Sequence, residues 1–315
     1  MKHSNTLRSL VLFLLGFLPL SVLPSHIVGS DLGYSHVGGS DYEVTLTLFR
    51  DCSGISAPGT GLVSLSSVSC QVSTSIVLPL LGSAYLETGC PGLLSTCQGG
   101  SYPGLEIVTY RDTVTLPMPC SDWEFRYADC CRNAALQNIV NPSSQGASNT
   151  ARLDNLNFPG NSSPVFQQLH RPFICSNGNY CLDNGAYDAD GDSLVYSTIA
   201  PMDDNGSPLS YVPGHSTADP FPSVNGHAFD PFTGNHCSEP MTSGAYALAY
   251  RVDEYRNGVL VGSVMRDLQV WVANCPASTL GFAGTVADTS GLPVASGSVE
   301  LYTYGLNSAG SLLYG

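Results

Sequence analysis

Lysine is nearly absent from this chain, and charged residues of any kind are few. The only lysine is Lys2, and Asp, Glu, Lys and Arg together make up 11% of the 315 residues. Acidic residues outnumber basic ones by 25 to 11, which gives a formal net charge of −14. A protein whose main task is to bind nucleic acid or anionic lipid needs a basic surface, and this composition excludes one.

The sequence also lacks the patterns of several enzyme classes. It contains no nucleotide-binding loop, no HExxH pair of zinc-binding histidines and no GxSxG turn for a nucleophilic serine. Long helical patterns and sustained repeats are missing as well. Instead, 33 glycines and 21 prolines divide the chain into short apolar segments. This composition predicts an all-β protein with many turns.

The N-terminus has the organisation of a secretory signal peptide. Residues 1–8 contain two basic residues, Lys2 and Arg8. The apolar run SLVLFLLGFLPLSVL follows, and small residues lie near Ser25. The run is short and interrupted by proline, although an uncleaved anchor helix is the alternative. We therefore expect residues 1–25 to be removed on export. The remaining chain, with 9 basic and 25 acidic residues, is expected to be secreted or associated with the cell surface, without a membrane span.

Eleven cysteines follow the predicted signal peptide. In an oxidising compartment they predict a disulfide framework, and the odd count leaves at least one cysteine unpaired or in an intermolecular bond. Spacing does not fix the connectivity; Cys175 and Cys181 are one of several possible pairs. Zinc is the alternative, but the only close pair, Cys130 and Cys131, is vicinal and does not suit a tetrahedral site.

Alternating apolar residues and turn signals predict three regions after the signal peptide. These regions are residues 26–164, 165–275 and 276–315. In the first, Tyr42 to Leu48 alternate after a glycine turn, and CCRNAALQNIVNP is the one predicted helical turn. The second ends with two alternating runs around Asn257-Gly258, a dipeptide that supplies the positive φ of a tight hairpin. The third has two strand-like runs around Ser290-Gly291.

Several stretches of the chain together resemble a known family. In order, they are SHIVGSDLGYSHVGGSDYEVTLTLFRDC, DCCRNAALQNIVNP, NSSPVF, DADGDSLVY, FDPFTG and EYRNGVLVGSVMRDLQVWVANC. Their succession over residues 26–275 resembles large secreted, cell-surface proteins of the Bacteroidota, often labelled gliding-motility-associated or type IX-secreted. The part from DADGDSLVY to GAYALAYRVDEY also resembles immunoglobulin-like and cadherin-like adhesin modules, and GTVADTSGLPVASGSVELY resembles the start of a carboxypeptidase-regulatory-like β-sandwich. The resemblance implies tandem immunoglobulin-like sandwiches and a binding or structural role without catalysis.

The acidic stretch YDADGDSLVY is the strongest candidate site. Asp188, Asp190 and Asp192 occupy alternate positions, and Gly191 permits a sharp bend between them. A loop that curls around one point can aim three carboxylates inward, and oxygen ligands of this kind suit calcium. The sequence therefore predicts a calcium site at these three aspartates.

Three other interpretations of this stretch were open. An EF-hand does not fit, because Ser193 and Ile199 stand where that loop requires Gly and Glu. A solvated turn, in which the aspartates accept hydrogen bonds from their own backbone, is the bland alternative. A catalytic carboxylate pair is weaker, because glycoside hydrolysis needs two carboxyl groups on opposite sides of a cleft. A further calcium ligand has to come from another part of the chain, and the candidates are Asp183, Asp203 and Asp253.

Other candidate residues point less clearly to a function. His236 and Cys237 are adjacent, but a catalytic thiol needs a partner in space and a disulfide competes for the cysteine. Trp123 and Trp271 lie in alternating segments typical of a core. Arg132 suits either an ion pair or an ordinary surface position.

The sequence as a whole predicts a non-enzymatic, disulfide-stapled structural or adhesion protein. Calcium would stiffen the second region, and the partner would be a surface glycan or a protein. The alternative function is a secreted glycan-active enzyme or its carbohydrate-binding accessory module.

Overall fold

The computed structural model describes residues 27–86, 94–100, 104–169, 173–176 and 178–274. The predicted signal peptide and the predicted third region lie outside the described residues. Within those residues the chain is all-β, as the composition predicts, and its only helical segments are 3₁₀ turns at Thr96–Gln98 and Pro142–Ser144. No helix in this part of the chain is long and apolar enough to cross a membrane.

Sixteen β-strands are described. They are β1 (Ile27–Gly38), β2 (Asp41–Asp51), β3 (Thr60–Ser67), β4 (Val72–Leu86), β5 (Leu105–Thr115), β6 (Trp123–Cys130), β7 (Gly146–Leu153), β8 (Val165–Phe166), β9 (Phe173–Cys175), β10 (Tyr180–Leu182), β11 (Ala186–Tyr187), β12 (Ser193–Ile199), β13 (Ser223–Phe229), β14 (His236–Pro240), β15 (Gly244–Arg256) and β16 (Val259–Ala273). The alternating run from Tyr42 to Leu48 forms β2, in which alternate residues are buried. The two runs around Asn257-Gly258 form β15 and β16, and most residues of these two strands are buried on both faces.

The predicted helical turn at residues 130–142 is wrong. This segment is irregular, and the Asn138 side chain holds it against the sheet. The Asn138 amide donates to the carbonyl of Ala247 at 2.8 Å and accepts from the Ala247 N–H at 2.9 Å. A buried asparagine that replaces a neighbouring strand in this way competes with helix formation, and the sequence pattern does not reveal it.

Strand β16 joins the early and late parts of the chain in one sheet. Seven strands follow one another in the order β1-β2-β5-β4-β3-β6-β7, and both end strands of this run pair with β16. Asp31 of β1 pairs with Arg266, and Ala151 of β7 pairs with Val264. Strands β15 and β12 continue the sheet beyond β16, and β9 pairs with β16 in parallel, so that eleven strands belong to the sheet.

The main apolar core is shared in the same way. Side chains of β1 to β7 form most of it, and Tyr196, Val252 and Val264 of the later strands complete it. The architecture is therefore sandwich-like, and both the sheet and the core continue across the predicted boundary near residue 164. The finer assignment of tandem immunoglobulin-like units with that boundary stays a prediction.

The disulfide framework is confirmed. The described bridges are Cys52–Cys97, Cys70–Cys120, Cys130–Cys131 and Cys181–Cys237. Cys175 is disulfide-bonded too, but Cys181 is not its partner. All nine cysteines in the described residues are thus oxidised, and the vicinal pair forms a bond rather than half of a zinc site.

Candidate metal centre

The three predicted aspartates lie in one tight loop between β11 and β12. One carboxylate oxygen of Asp188 accepts the backbone N–H groups of Asp190 at 3.0 Å and Asp192 at 2.8 Å. Gly191 has a φ of +79°, which a residue with a Cβ rarely adopts, so the bend depends on glycine. The loop therefore contains the turn of the alternative interpretation, in which an aspartate side chain accepts nearby backbone N–H groups. Only one of the two Asp188 oxygens is used in this turn.

A fourth carboxylate, Glu254 of β15, completes the cluster. One oxygen from each of Asp188, Asp190, Asp192 and Glu254 lies within 4.8 Å of the other three. The sequence interpretation missed Glu254, although a signal was present. Tyr250 and Val252 precede it at two-residue steps and are buried, so Glu254 occupies an inward position of an alternating strand.

Glu254 is fully buried, and neither of its oxygens has a partner in good hydrogen-bond geometry among the described residues, although the Asn161 amide and the Asp192 carboxyl group lie close to it. Its residue exposure is 0%, and neither Oε1 nor Oε2 is paired. The second oxygen of Asp188, Oδ2, is buried and unpaired as well. Gly262, opposite Glu254 in β16, leaves the space for this side chain, since a Cβ there would lie 2.8 Å from Oε2. Three carboxylate oxygens are thus buried without a donor, which is costly unless a cation or a proton neutralises them.

One positive side chain, Arg256, borders the cluster. Its guanidinium donates to both oxygens of Asp192, at 2.8 Å and 2.6 Å, and to Asn161 Oδ1 at 2.7 Å. Asp190 lies further away, with an oxygen 3.6 Å from the guanidinium, and accepts the Ser162 N–H at 2.7 Å. Four carboxylates therefore share one arginine.

The pKa values in the cluster differ because the surroundings of the carboxyl groups differ. Burial raises the pKa of Glu254 to about 9; the nearby Asn161 amide lowers it in part, and Asp192 and Asp188 raise it further. Burial also raises the pKa of Asp188. The pKa of Asp192 is lowered, first by its hydrogen bonds with Arg256. A second positive charge would therefore stabilise the ionised forms of Glu254 and Asp188, where Arg256 does not reach.

None of the three guessed additional ligands belongs to the cluster. Asp183 accepts the Gly185 N–H at 2.8 Å, and Asp203 accepts the Gly146 N–H. Asp253 points to the opposite face of β15 from Glu254 and pairs with Arg251 at 2.8 Å. Asp253 is the sequence neighbour of Glu254, but alternation along β15 places the two side chains on opposite faces of the strand.

The remaining candidates form no second site. Cys237 is in a disulfide, so it cannot be the thiol partner of His236. Trp123 is fully buried in the core, and Trp271 is half-buried and stacks on Phe173 with ring centres 5.3 Å apart. Arg132 is not a surface residue; it is buried and paired with Asp267.

The cluster has the chemistry of a hard-cation site. Its donors are all oxygen, they converge on one point, and the free ones are Asp188 Oδ2, one oxygen of Asp190 and both oxygens of Glu254. Calcium accepts six to eight oxygen ligands in flexible geometry, so water or backbone can supply the rest. A glycosidase pair instead flanks a cleft with two separated carboxyl groups. Four carboxylates close together, two of them buried, match a cation better than such a pair.

Comparison with known proteins gives no match to the chain among protein-family models, curated proteins or solved structures. The resemblance to Bacteroidota surface proteins therefore stays a prediction from the motifs. The interpretation of the cluster depends on its own geometry.

Proposed function

We propose that this chain is a non-enzymatic structural or adhesion protein that works outside the cytoplasm and binds calcium at Asp188, Asp190, Asp192 and Glu254. The observation that carries the proposal is the Glu254 carboxylate. It is fully buried, unpaired and adjacent to the unpaired oxygen of Asp188. A divalent cation would neutralise these oxygens at once, whereas without a cation the Glu254 carboxyl has to keep a proton at neutral pH.

Two further features support the extracellular part of the proposal. All nine described cysteines are disulfide-bonded, and such frameworks persist in oxidising compartments. Calcium is available there at concentrations that match weak sites, which bind with dissociation constants of about 10⁻⁴ to 10⁻³ M. Disulfides and a bound ion would act together, because both stabilise the folded form and hold loops in fixed positions.

The position of the cluster explains what calcium would stiffen. Asp190 accepts the Ser162 N–H, and the Ser162 hydroxyl in turn accepts the His36 N–H of β1 at 3.1 Å. The next residue, Ser163, exchanges backbone and side-chain hydrogen bonds with Tyr34. Calcium would thus brace the connection between β1 and the later strands, in addition to the second region itself.

Thermal unfolding of the full chain in EDTA and in millimolar calcium tests the proposal. The full chain is required because a fragment of residues 165–275 would leave β16 without β1 and β7. A ligand that binds only the folded state raises the free energy of unfolding by about 2.7 kcal/mol at a hundredfold excess over its dissociation constant. We expect a higher midpoint in calcium and a smaller effect with magnesium, which demands stricter octahedral geometry. Equal midpoints in EDTA and calcium would contradict the proposed calcium site.

A further inference from the structure

Arg256 lies where a metal site would ordinarily contain no positive residue. It follows Glu254 by two positions on β15, next to the Asn257-Gly258 turn in which both residues have positive φ. Its guanidinium forms a two-point ion pair with Asp192 and reaches Asn161 with one of the same nitrogens. A two-point pair of this kind fixes both distance and orientation.

Arg256 engages the carboxylates of the cluster unequally. Both oxygens of Asp192 are engaged by Arg256, and one oxygen of Asp190 lies 3.6 Å from the same guanidinium. The oxygens to which Arg256 does not donate belong to Asp188, Asp190 and Glu254. A divalent cation that binds these free oxygens therefore lies close to a guanidinium, and the two positive charges repel each other.

We propose that Arg256 sets the affinity of the calcium site, an inference that rests on the proposed function. With the site empty, the guanidinium is an internal counter-cation that keeps the acidic loop folded. With calcium present, it opposes the metal and weakens binding, so that the metal exchanges reversibly. Arg256 can yield, since its side chain is 31% exposed and its planar group lies 6.0 Å from the Phe158 ring rather than deep in the core.

A second arginine on the same strand provides a matched control. Arg251 also pairs with an aspartate on β15, since its Nε and Nη2 donate to one oxygen of Asp253 at 3.1 Å and 2.8 Å. Asp253 does not belong to the acidic cluster. Replacement of Arg251 thus removes one positive charge and one ion pair from β15 without a change at the proposed site.

The experiment is calorimetric titration of the full wild-type chain, Arg256→Gln and Arg251→Gln with calcium chloride. We expect Arg256→Gln to bind calcium about tenfold more tightly or better, because a nearby like charge is removed. Arg251→Gln should keep the wild-type affinity. Arg256→Lys keeps the charge without the planar fork, and its affinity should stay near that of the wild type.

The outcomes separate this inference from the proposed function. Calcium binding by the wild type with equal or weaker binding by Arg256→Gln overturns the role of Arg256 and leaves the calcium site intact. Binding by Arg256→Gln alone supports the role of Arg256 and shows that the natural chain has no calcium site. Absence of binding by both contradicts both. If Arg256→Gln unfolds in EDTA, refolding on addition of calcium chloride supports the role, and failure to refold overturns it.

Discussion

Two clusters of buried charge lie beside the β15–β16 hairpin, and they differ in how that charge is balanced. Arg132 and Asp267 form a two-point ion pair at 2.9 Å and 2.7 Å, and each side chain is 6% exposed. The remaining Arg132 donors reach the carbonyl groups of Gly146 and Met202. In the acidic cluster, by contrast, Glu254 is equally buried but its oxygens have no partner.

The difference separates a site that is complete from one that requires something else. A buried ion pair whose donors and acceptors are all engaged contributes order without any ligand. A buried excess of one sign of charge is unfavourable until a cation or a proton arrives. Burial of charge alone thus does not indicate a binding site, whereas burial with unpaired oxygens does.

The largest loss of stability is expected when the buried Arg132–Asp267 ion pair is broken. Asp267→Asn leaves the Arg132 charge buried without a counter-charge and should lower the free energy of unfolding by about 3–5 kcal/mol. Urea unfolding measures this loss. Arg111→Gln, which removes an ion pair between two half-exposed side chains, is the control and should cost less than about 1 kcal/mol. A loss of similar size in both variants would show that the buried ion pair contributes no more to stability than the half-exposed one.

A third buried polar group is the histidine pair His227 and His236, whose hydrogen bonds are all satisfied only while both imidazoles are neutral. His227 Nε2 lies 2.8 Å from the Phe221 carbonyl, which accepts a proton and so fixes Nδ1 as an acceptor. His236 Nε2 then donates to that Nδ1 at 3.0 Å, and His236 Nδ1 accepts the Tyr250 hydroxyl at 2.7 Å. While both imidazoles are neutral, every donor in this chain of hydrogen bonds faces an acceptor. A further proton on His227 Nδ1 or His236 Nδ1 would place a donor opposite a donor.

Low pH should therefore lower the free energy of unfolding through this histidine pair. Burial, together with the smaller effect of the nearby His227, lowers the pKa of His236 to about 4. The unfolded chain takes up the proton near pH 6.5 and the folded chain does not, so stability is complete above pH 6.5 and falls as pH decreases toward 4. The expected loss is on the order of 3 kcal/mol. Urea unfolding between about pH 7 and pH 4 measures it, and His236→Gln should show a shallower dependence; equal slopes would exclude His236 as the cause.

The smallest effect is expected at the incomplete site, where the change depends on calcium. Burial raises the pKa of Glu254 to about 9, so in EDTA at neutral pH Glu254→Gln replaces one neutral group by another, and stability there should change by about 1 kcal/mol or less. In calcium, the variant should lose most of the roughly 2.7 kcal/mol that the ion adds at hundredfold excess. Asp253→Asn, one residue away on the other face, should keep that gain. A full calcium effect in Glu254→Gln would remove Glu254 from the site.

Local sequence signals predicted much of the fold and three quarters of the cluster. Asp188, Asp190 and Asp192 were found because neighbouring residues in one loop meet whatever the rest of the chain does. Glu254 was not, because its place depends on how β15 packs beside the β11–β12 loop. Alternation along a strand indicates the face of each residue but not what the face contacts. The same limit applies to the irregular segment held by Asn138, whose partners come from distant parts of the chain.

The position of β16 has a consequence for the order of folding. Asp31 and Arg266 form an ion pair across 235 residues of sequence, and the edges of β1 and β7 are both covered by this last described strand. Contacts of such long range make folding slow, since most of the chain has to be present before they form. A chain that emerges N-terminus first carries two open strand edges until residue 259 arrives, and open edges promote aggregation. Truncation before β16 should therefore yield aggregates rather than a smaller folded domain.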